Sequence, residues 1–412
     1  MNELLNKIKN KRDISYEKLE EFFIGYLNDK VSDEDMTSVL KAICDYSLTE
    51  DNIFNLTDIF IKSGEMLPVS DNFIDKHSTG GVGDKTTLIV LPILASLGVK
   101  ISKMSGRGLG YTGGTIDKLE SIGVKTDFSK DEFFEAIDKH NMVISSQTSN
   151  LCPLDKKVYA LRDITGTTNS AALIAISVMS KKIASGAKKI LIDVKVGKGA
   201  LVNNIKEAKY LAELMIKIGK KYDRKVVCML TSMDNPLGTN IGNRIEVLEV
   251  LDILNGKNNN LSYLCTKMAT EMLIMEKNIS FEEASSLVES SITSGKALSK
   301  FKEYIESYGG NLDFDLGEYR VIKSLKSGYI KSINSKELGK LSMNLGAGRK
   351  EKDDKIDFNA GIILNKTSND YVKKGEELFK CYGKKIEINL TDIFSISLFK
   401  PKKKNIILEI IK

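Results

Sequence analysis

The sequence predicts an α/β protein joined to an all-α part and closed by a small C-terminal α+β part. Short apolar strand-like runs alternate with helical patterns from about residue 71 to 230. The first 65 residues carry helical spacing only. After about Gly328 the texture changes to short strands and tight turns. At 412 residues the chain is long for one compact domain, so two or three are expected.

Each element has its own signal. Leu19, Phe22, Phe23, Tyr26 and Leu27 follow helical spacing. Ser32 with Asp35 resembles a capping box ahead of Met36, Val39, Leu40 and Ile43. A third helix follows Thr49 and ends at Gly64. The wide apolar faces of these helices need a partner, either another segment or a second subunit. Strands are then expected at 73–74, 99–104, 142–145, 190–194 and 226–230, with helices at 86–97, from Thr115, after the Ser129/Glu132 cap and at 205–220. Two further helical stretches, 155–162 and 168–184, interrupt that rhythm, and helices dominate 239–308. The expected division is a discontinuous helical domain (1–65 plus 156–188), a larger α/β domain with a mixed, mostly parallel sheet (70–155 plus 189–327) and a C-terminal α+β domain (328–412).

Apolar residues make up 42% and charged residues 28%, an ordinary globular balance. The net charge of +6 comes from scattered lysines, with no basic patch interleaved with aromatics, so nucleic acid is not an expected partner. Cys44, Cys152, Cys228, Cys265 and Cys381 are far apart and odd in number, which fits reduced thiols better than a disulfide framework or zinc site. No apolar run approaches the roughly 20 residues of a membrane span. Residues 1–12 are lysine-rich without an apolar core, unlike a secretory signal. A cytoplasmic protein without membrane contact is expected.

The densest chemistry lies between Asp75 and Glu120. Asp75-Lys-His-Ser-Thr-Gly-Gly-Val-Gly-Asp84 precedes a helix, so small residues admit a ligand and free N–H groups point at it. Lys76 adds charge, and Ser78 and Thr87 add hydroxyls. It is not a P-loop, and the run describes an oxyanion cradle, with a flexible Gly turn capped by Asp84 as the lesser alternative when it is taken alone. Lys103-Met-Ser105-Gly-Arg-Gly-Leu-Gly-Tyr-Thr-Gly-Gly-Thr115 follows the next strand and opens another helix. Ligands of open α/β sheets bind at the carboxyl ends of strands, so both loops are expected to meet at one anion site with Lys103, Ser105 and Thr115 as further donors.

Residues 105–120 match throughout the signature Ser-Gly-Arg-Gly-Leu-x-x-Thr-Gly-Gly-Thr-x-Asp-Lys-x-Glu, and so resemble the thymidine/pyrimidine-nucleoside phosphorylase family. Further matches are Gln147-Thr, Pro153-x-Asp-Lys-Lys-x-Tyr-Ala-Leu-Arg-Asp163, Met179-Ser-Lys-Lys-Ile-Ala-x-Gly186, Asp193-Val-Lys, Pro236-Leu-Gly and Gly346-Ala-Gly-Arg349. The resemblance covers essentially the whole chain. It implies reversible phosphorolysis of pyrimidine nucleosides (uridine, thymidine, deoxyuridine) with inorganic phosphate as co-substrate, no organic cofactor and a homodimer. It implies phosphate contacts from Lys76, His77, Ser78, Thr87, Lys103, Met104, Ser105 and Thr115, and base contacts from Arg162, Ser177 and Lys181. Ser177 and Lys181 are four apart on one helix and share a face. Taken alone, Lys181 reads as a solvated helix lysine. His77, with Arg162 and Lys181, is implied in catalysis, as a donor titrating near neutrality beside the base O2. His140 ends a polar helix and reads as a surface residue.

The resemblance also implies a potassium site at Gly83, Lys85, Leu237, Asn240 and Glu249. The second position is commonly Thr in the family. If only its backbone serves, Lys85 is harmless there; if Lys85 points inward, its ammonium can replace the ion. Tyr111 departs likewise, where His is usual. An anthranilate-type phosphoribosyltransferase would need acidic magnesium ligands that the loops do not offer. A non-catalytic nucleoside-binding relative predicts a lesion in the site, and none is apparent.

Overall fold

The computed structural model describes residues 1–68, 70–108, 110–148, 150–351 and 353–412. Helices α1 (Asn2–Lys9), α2 (Tyr16–Leu27), α3 (Asp33–Tyr46) and α4 (Glu50–Lys62) come first. Ser32 and Thr49 accept the Asp35 and Asn52 amides, as N-caps do. There follow β1 (Ser70–Ser78), α5 (Thr86–Ser96), β2 (Lys100–Ser105), α6 (Thr115–Glu120), α7 (Lys130–His140) and β3 (Met142–Ser146). The Ser129/Glu132 capping box is formed at α7. Next are α8 (Pro153–Thr165), α9 (Ala171–Ala184), β4 (Ala187–Val196), α10 (Ile205–Lys221), β5 (Lys225–Ser232) and β6 (Asn240–Gly242).

Helices α11 (Arg244–Leu254), α12 (Asn260–Lys277), α13 (Phe281–Thr293) and α14 (Lys296–Ser307) continue the chain. The remainder holds β7 (Tyr319–Lys323), β8 (Gly328–Ile333), α15 (Ser335–Ser342), β9 (Gly361–Leu364), β10 (Tyr371–Val372), β11 (Glu377–Tyr382), α16 (Leu390–Ile393), β12 (Phe394–Ser397) and β13 (Ile407–Ile411).

The principal sheet runs β13-β5-β4-β1-β2-β3. Its pairings from β5 through to β3 are parallel, and β13 is antiparallel to β5, so the sheet is mixed and mostly parallel as expected. Alternation splits its two faces between two apolar cores. Ile190, Ile192, Val194 and Cys228 pack with α1–α4 and α8–α10, whereas Leu191, Val227 and Met229 pack with α5 and α11–α14. The two smaller sheets, β10-β8-β12 and β6-β9-β11-β7, are antiparallel where paired.

Chain order and spatial order differ at three points. The terminal strand β13 leaves the C-terminal α+β part and edges the principal sheet, while β6 and β7 join the C-terminal sheet. His140 is not a surface residue: its side chain is buried against Tyr304 and Tyr308, with Nδ1 2.9 Å from Glu303. The polar helix α7 misled there because its last turn packs under α14. No helix among the described residues is long and apolar enough to cross a membrane.

Candidate active site

A cleft of about 580 Å³ opens at the carboxyl ends of β1 and β2, where open α/β sheets bind ligands. Its wall on the sheet side comes from the loops after β1 and β2, and its opposite wall from α8 and α9. Leu109, within the second Gly-rich loop, lies outside the described residues.

On the sheet side, His77, Ser78, Thr87, Lys103, Met104, Ser105 and Thr115 all line the cleft. Lys103 is 3% exposed, and its ammonium has no hydrogen-bond or ion-pair partner among the described residues. Burial, and then the Lys182 ammonium, push its pKa well below the ordinary lysine range. The hydroxyls of Thr87, Ser105 and Thr115 likewise make no side-chain hydrogen bond to other described residues. Ser78 differs: its hydroxyl donates to Asp84 at 2.5 Å and accepts from the Gly80 amide. Asp84, also at the cleft, would be raised by burial, but Lys195, Lys76 and the bonds from Ser78 and Thr86 hold it far below the carboxylate range.

Lys76 does not line the cleft. Neighbouring side chains of a strand alternate in direction. With His77 facing the cleft, Lys76 is fully buried on the opposite side of β1 and donates to Thr86. From there its charge acts on Asp84, His77 and Lys103 through space rather than by direct contact in the cleft. His77 also departs from expectation. Burial, followed by the charges of Lys182, Lys103, Lys181 and Lys76, pushes it well below its ordinary value, so it is neutral rather than poised near pH 7.

Across the cleft, Arg162 is 2% exposed. Its guanidinium donates to the carbonyls of Thr167 (3.2 Å), Leu173 (3.3 Å) and Thr168 (3.0 Å). Lys181 donates to Asp155 at 2.6 Å and to Ser177 at 3.2 Å, as the shared helix face requires. Tyr159 lies beside both cations, 5.8 Å from each. Ile174 and Val178 add apolar wall.

The glycosyl transferase family model (a/b domain) matches residues 70–298, and the pyrimidine nucleoside phosphorylase C-terminal domain matches residues 329–392. Pyrimidine-nucleoside phosphorylases of Staphylococcus haemolyticus and of Staphylococcus epidermidis are each 40% identical over 94% of this chain and 93% of their own length. The chain belongs to the pyrimidine-nucleoside phosphorylase family. It is therefore an enzyme of the pentosyltransferase class. The crystal structure of anthranilate phosphoribosyltransferase from Thermus thermophilus shares the fold at a TM-score of 0.59, with 15% identity over 74% of this chain and 98% of that one.

In this phosphorylase-family chain the five positions of the implied potassium site do come together, but around an ammonium. Lys85 points inward, with both it and Glu249 having fully buried side chains. Its Nζ donates to Leu237 O (3.0 Å), Asn240 O (2.8 Å) and Glu249 Oε2 (2.7 Å). Burial alone would raise Glu249; Lys85 and the Thr239 and Asn240 amides more than offset that and hold it below the ordinary range. A set whose centre is already a cation does not fit a potassium ion.

Sequence reasoning overlooked three supports. Asp155 orients Lys181, Lys182 pairs with Asp75 at 2.6 Å between α9 and β1, and Arg349 of the C-terminal part bonds Asp117 at 2.7 Å. Asp117 accepts the Gly108 amide, and the Gly110 amide donates to Arg349 O, so this pair anchors the second Gly-rich loop. All six side chains lie inside the quoted motifs, but which of their charges pair is set by long-range contact that no local signal shows.

Proposed function

We propose that this enzyme catalyses reversible phosphorolysis of pyrimidine nucleosides, giving the free base and an α-D-pentose 1-phosphate. One observation carries the reading: a buried lysine without a protein partner among the described residues, Lys103, faces a second cationic group, Lys181 with Arg162, across one cleft. Phosphate is the natural partner for the first, and a departing pyrimidine anion for the second.

A phosphate oxygen attacks C1′ and takes the pentosyl group as the C1′–N1 bond breaks; the bonding pair leaves with the base. No side chain need act as nucleophile, so catalysis is positioning and charge stabilisation. Lys103, Thr87, Ser105 and Thr115 hold the phosphate, with the Met104 segment shaping the floor. Lys181, Ser177 and the free donors of Arg162 bond the base edge. His77 donates as a neutral imidazole to O2, which suits a site already rich in lysine charge. Closure of the cleft brings the two halves together. Substrate breadth is proposed to include uridine, thymidine and deoxyuridine, in pyrimidine salvage and catabolism within the cytoplasm, by a homodimer formed through α1–α4 with α8 and α9; sedimentation of the protein tests the dimer.

The experiment is a base-release assay with uridine, thymidine and cytidine, with and without phosphate. Uracil and thymine released one-for-one with pentose 1-phosphate is the expected result. Release that ignores phosphate, or activity requiring diphosphate and magnesium, would remove the proposal.

A further inference from the structure

The ammonium of Lys85 occupies the centre of a fully built cation site. An ammonium has three N–H donors. Three buried acceptors meet all of them: Leu237 O, Asn240 O and Glu249 Oε2. The Glu249 carboxylate has nothing left for an ion. Its Oε1 accepts from the Thr239 amide, the Thr239 hydroxyl and Asn259 Nδ2, and its Oε2 accepts also from the Asn240 amide. The surrounding backbone is drawn in tightly. Gly83 has φ +74°, and a Cβ there would lie 2.5 Å from Leu237 O; Gly238 has φ +69°, and a Cβ there would lie 2.3 Å from Glu249 Oε2. No room remains for a second centre of positive charge beside the first, in a place where water cannot screen their repulsion.

The location gives the tether a purpose. Lys85 sits between Asp84, which faces the cleft, and Thr87, whose hydroxyl is open to it. The Leu237 amide also donates to Val82 O at 3.0 Å. The loop that ends β1 is thus fixed to the 237–249 segment from both sides.

We propose that Lys85 is a built-in replacement for a monovalent cation, holding the first phosphate loop in place so that this enzyme needs no potassium. Lys85 is a positioning residue: it touches neither substrate nor reacting atoms. The inference goes beyond the proposed reaction and can fail separately from it, because thermal melting reads it without turnover.

The test compares wild type with Lys85→Thr in tetramethylammonium, sodium and potassium chloride at equal ionic strength. Thermal midpoint, phosphate KM and kcat, and potassium retained after desalting are measured. Wild type is expected to melt within about 1 °C in all three salts, to retain no stoichiometric potassium and to keep its phosphate KM. Lys85→Thr is expected to gain at least about 3 °C from potassium over tetramethylammonium, because an ion that binds only the folded state stabilises it. Its phosphate KM should fall back by about fivefold or more in potassium, with little change in kcat, since a positioning role acts on binding. A wild type stabilised specifically by potassium, or carrying one potassium per chain, overturns the proposal. So does a folded Lys85→Thr indifferent to potassium. If Lys85→Thr folds in no salt, the wild-type melting and potassium content alone decide, in the same two directions.

Discussion

The two walls of the cleft differ in how their cations are used. On the sheet side Lys103 has no partner, and Thr87, Ser105 and Thr115 keep their hydroxyls unengaged among the described residues. On the helical side Arg162 is bonded to three carbonyls and Lys181 to Asp155 and Ser177. Water competes poorly in a buried site, so an unpaired ammonium there is destabilising until an anion arrives. Under the proposed reaction the sheet side is an incomplete site, and phosphate is the anion that would complete it. On the same proposal the helical side, its cations already held by protein acceptors, would act as a rigid frame, presenting its remaining donors to a base that needs charge only as the bond breaks.

Substitutions can break or sharpen that contrast. Lys181→Ala has the largest expected effect, lowering kcat by about 10²–10³-fold, as removal of one preorganised donor at a developing anion does. Near wild-type turnover would put the base elsewhere. Lys103→Met should weaken phosphate by about 100-fold, a difference near 3 kcal/mol. It should nevertheless leave the ligand-free melting temperature unchanged or raised, because it removes an uncompensated buried charge. Arg162→Ala should do the opposite to the fold: it strands the Thr167, Thr168 and Leu173 carbonyls and lowers the midpoint. Equal midpoint losses in both variants would erase the distinction between the walls. Asp155→Asn should cost about tenfold in kcat, since Lys181 keeps its charge but loses its orienting ion pair.

The smallest expected effect is on pH. His77 and His140 are both held below their ordinary value, chiefly by burial. Below about pH 6.5 the unfolded chain then binds protons that the folded chain does not, so the stability they affect is complete above that pH and lost as pH falls. Phosphate beside His77 should lessen the loss. An acid limb of the melting curve insensitive to His140→Phe and to phosphate would show that other groups govern it.

Much of this arrangement was legible in the sequence because it is local. Runs such as 99–104 and 190–194 are apolar enough to name buried strands, and Gly-rich loops after two successive strands point to one anion site. The four-residue spacing of Ser177 and Lys181 placed them on one face. What escaped depends on long-range contact. Nothing local says that 407–411 returns to the edge of the principal sheet beside β5. Nothing local says that Lys76 turns away while its neighbour His77 faces the cleft, since a loop and a short strand leave the direction of alternation open. Asp155, Asp75 and Arg349 were visible as motif residues, but their roles depend on partners up to 232 positions distant. The inward turn of Lys85 was one of two readings, and it was decided by segments more than 150 residues away.

The contrast between the walls rests on phosphate completing the sheet side, and calorimetric titration of phosphate into wild type and Lys103→Met measures that directly. One phosphate per chain in wild type, with affinity weaker by about 100-fold in Lys103→Met, is the predicted result. Equal affinity in the two proteins would contradict the account.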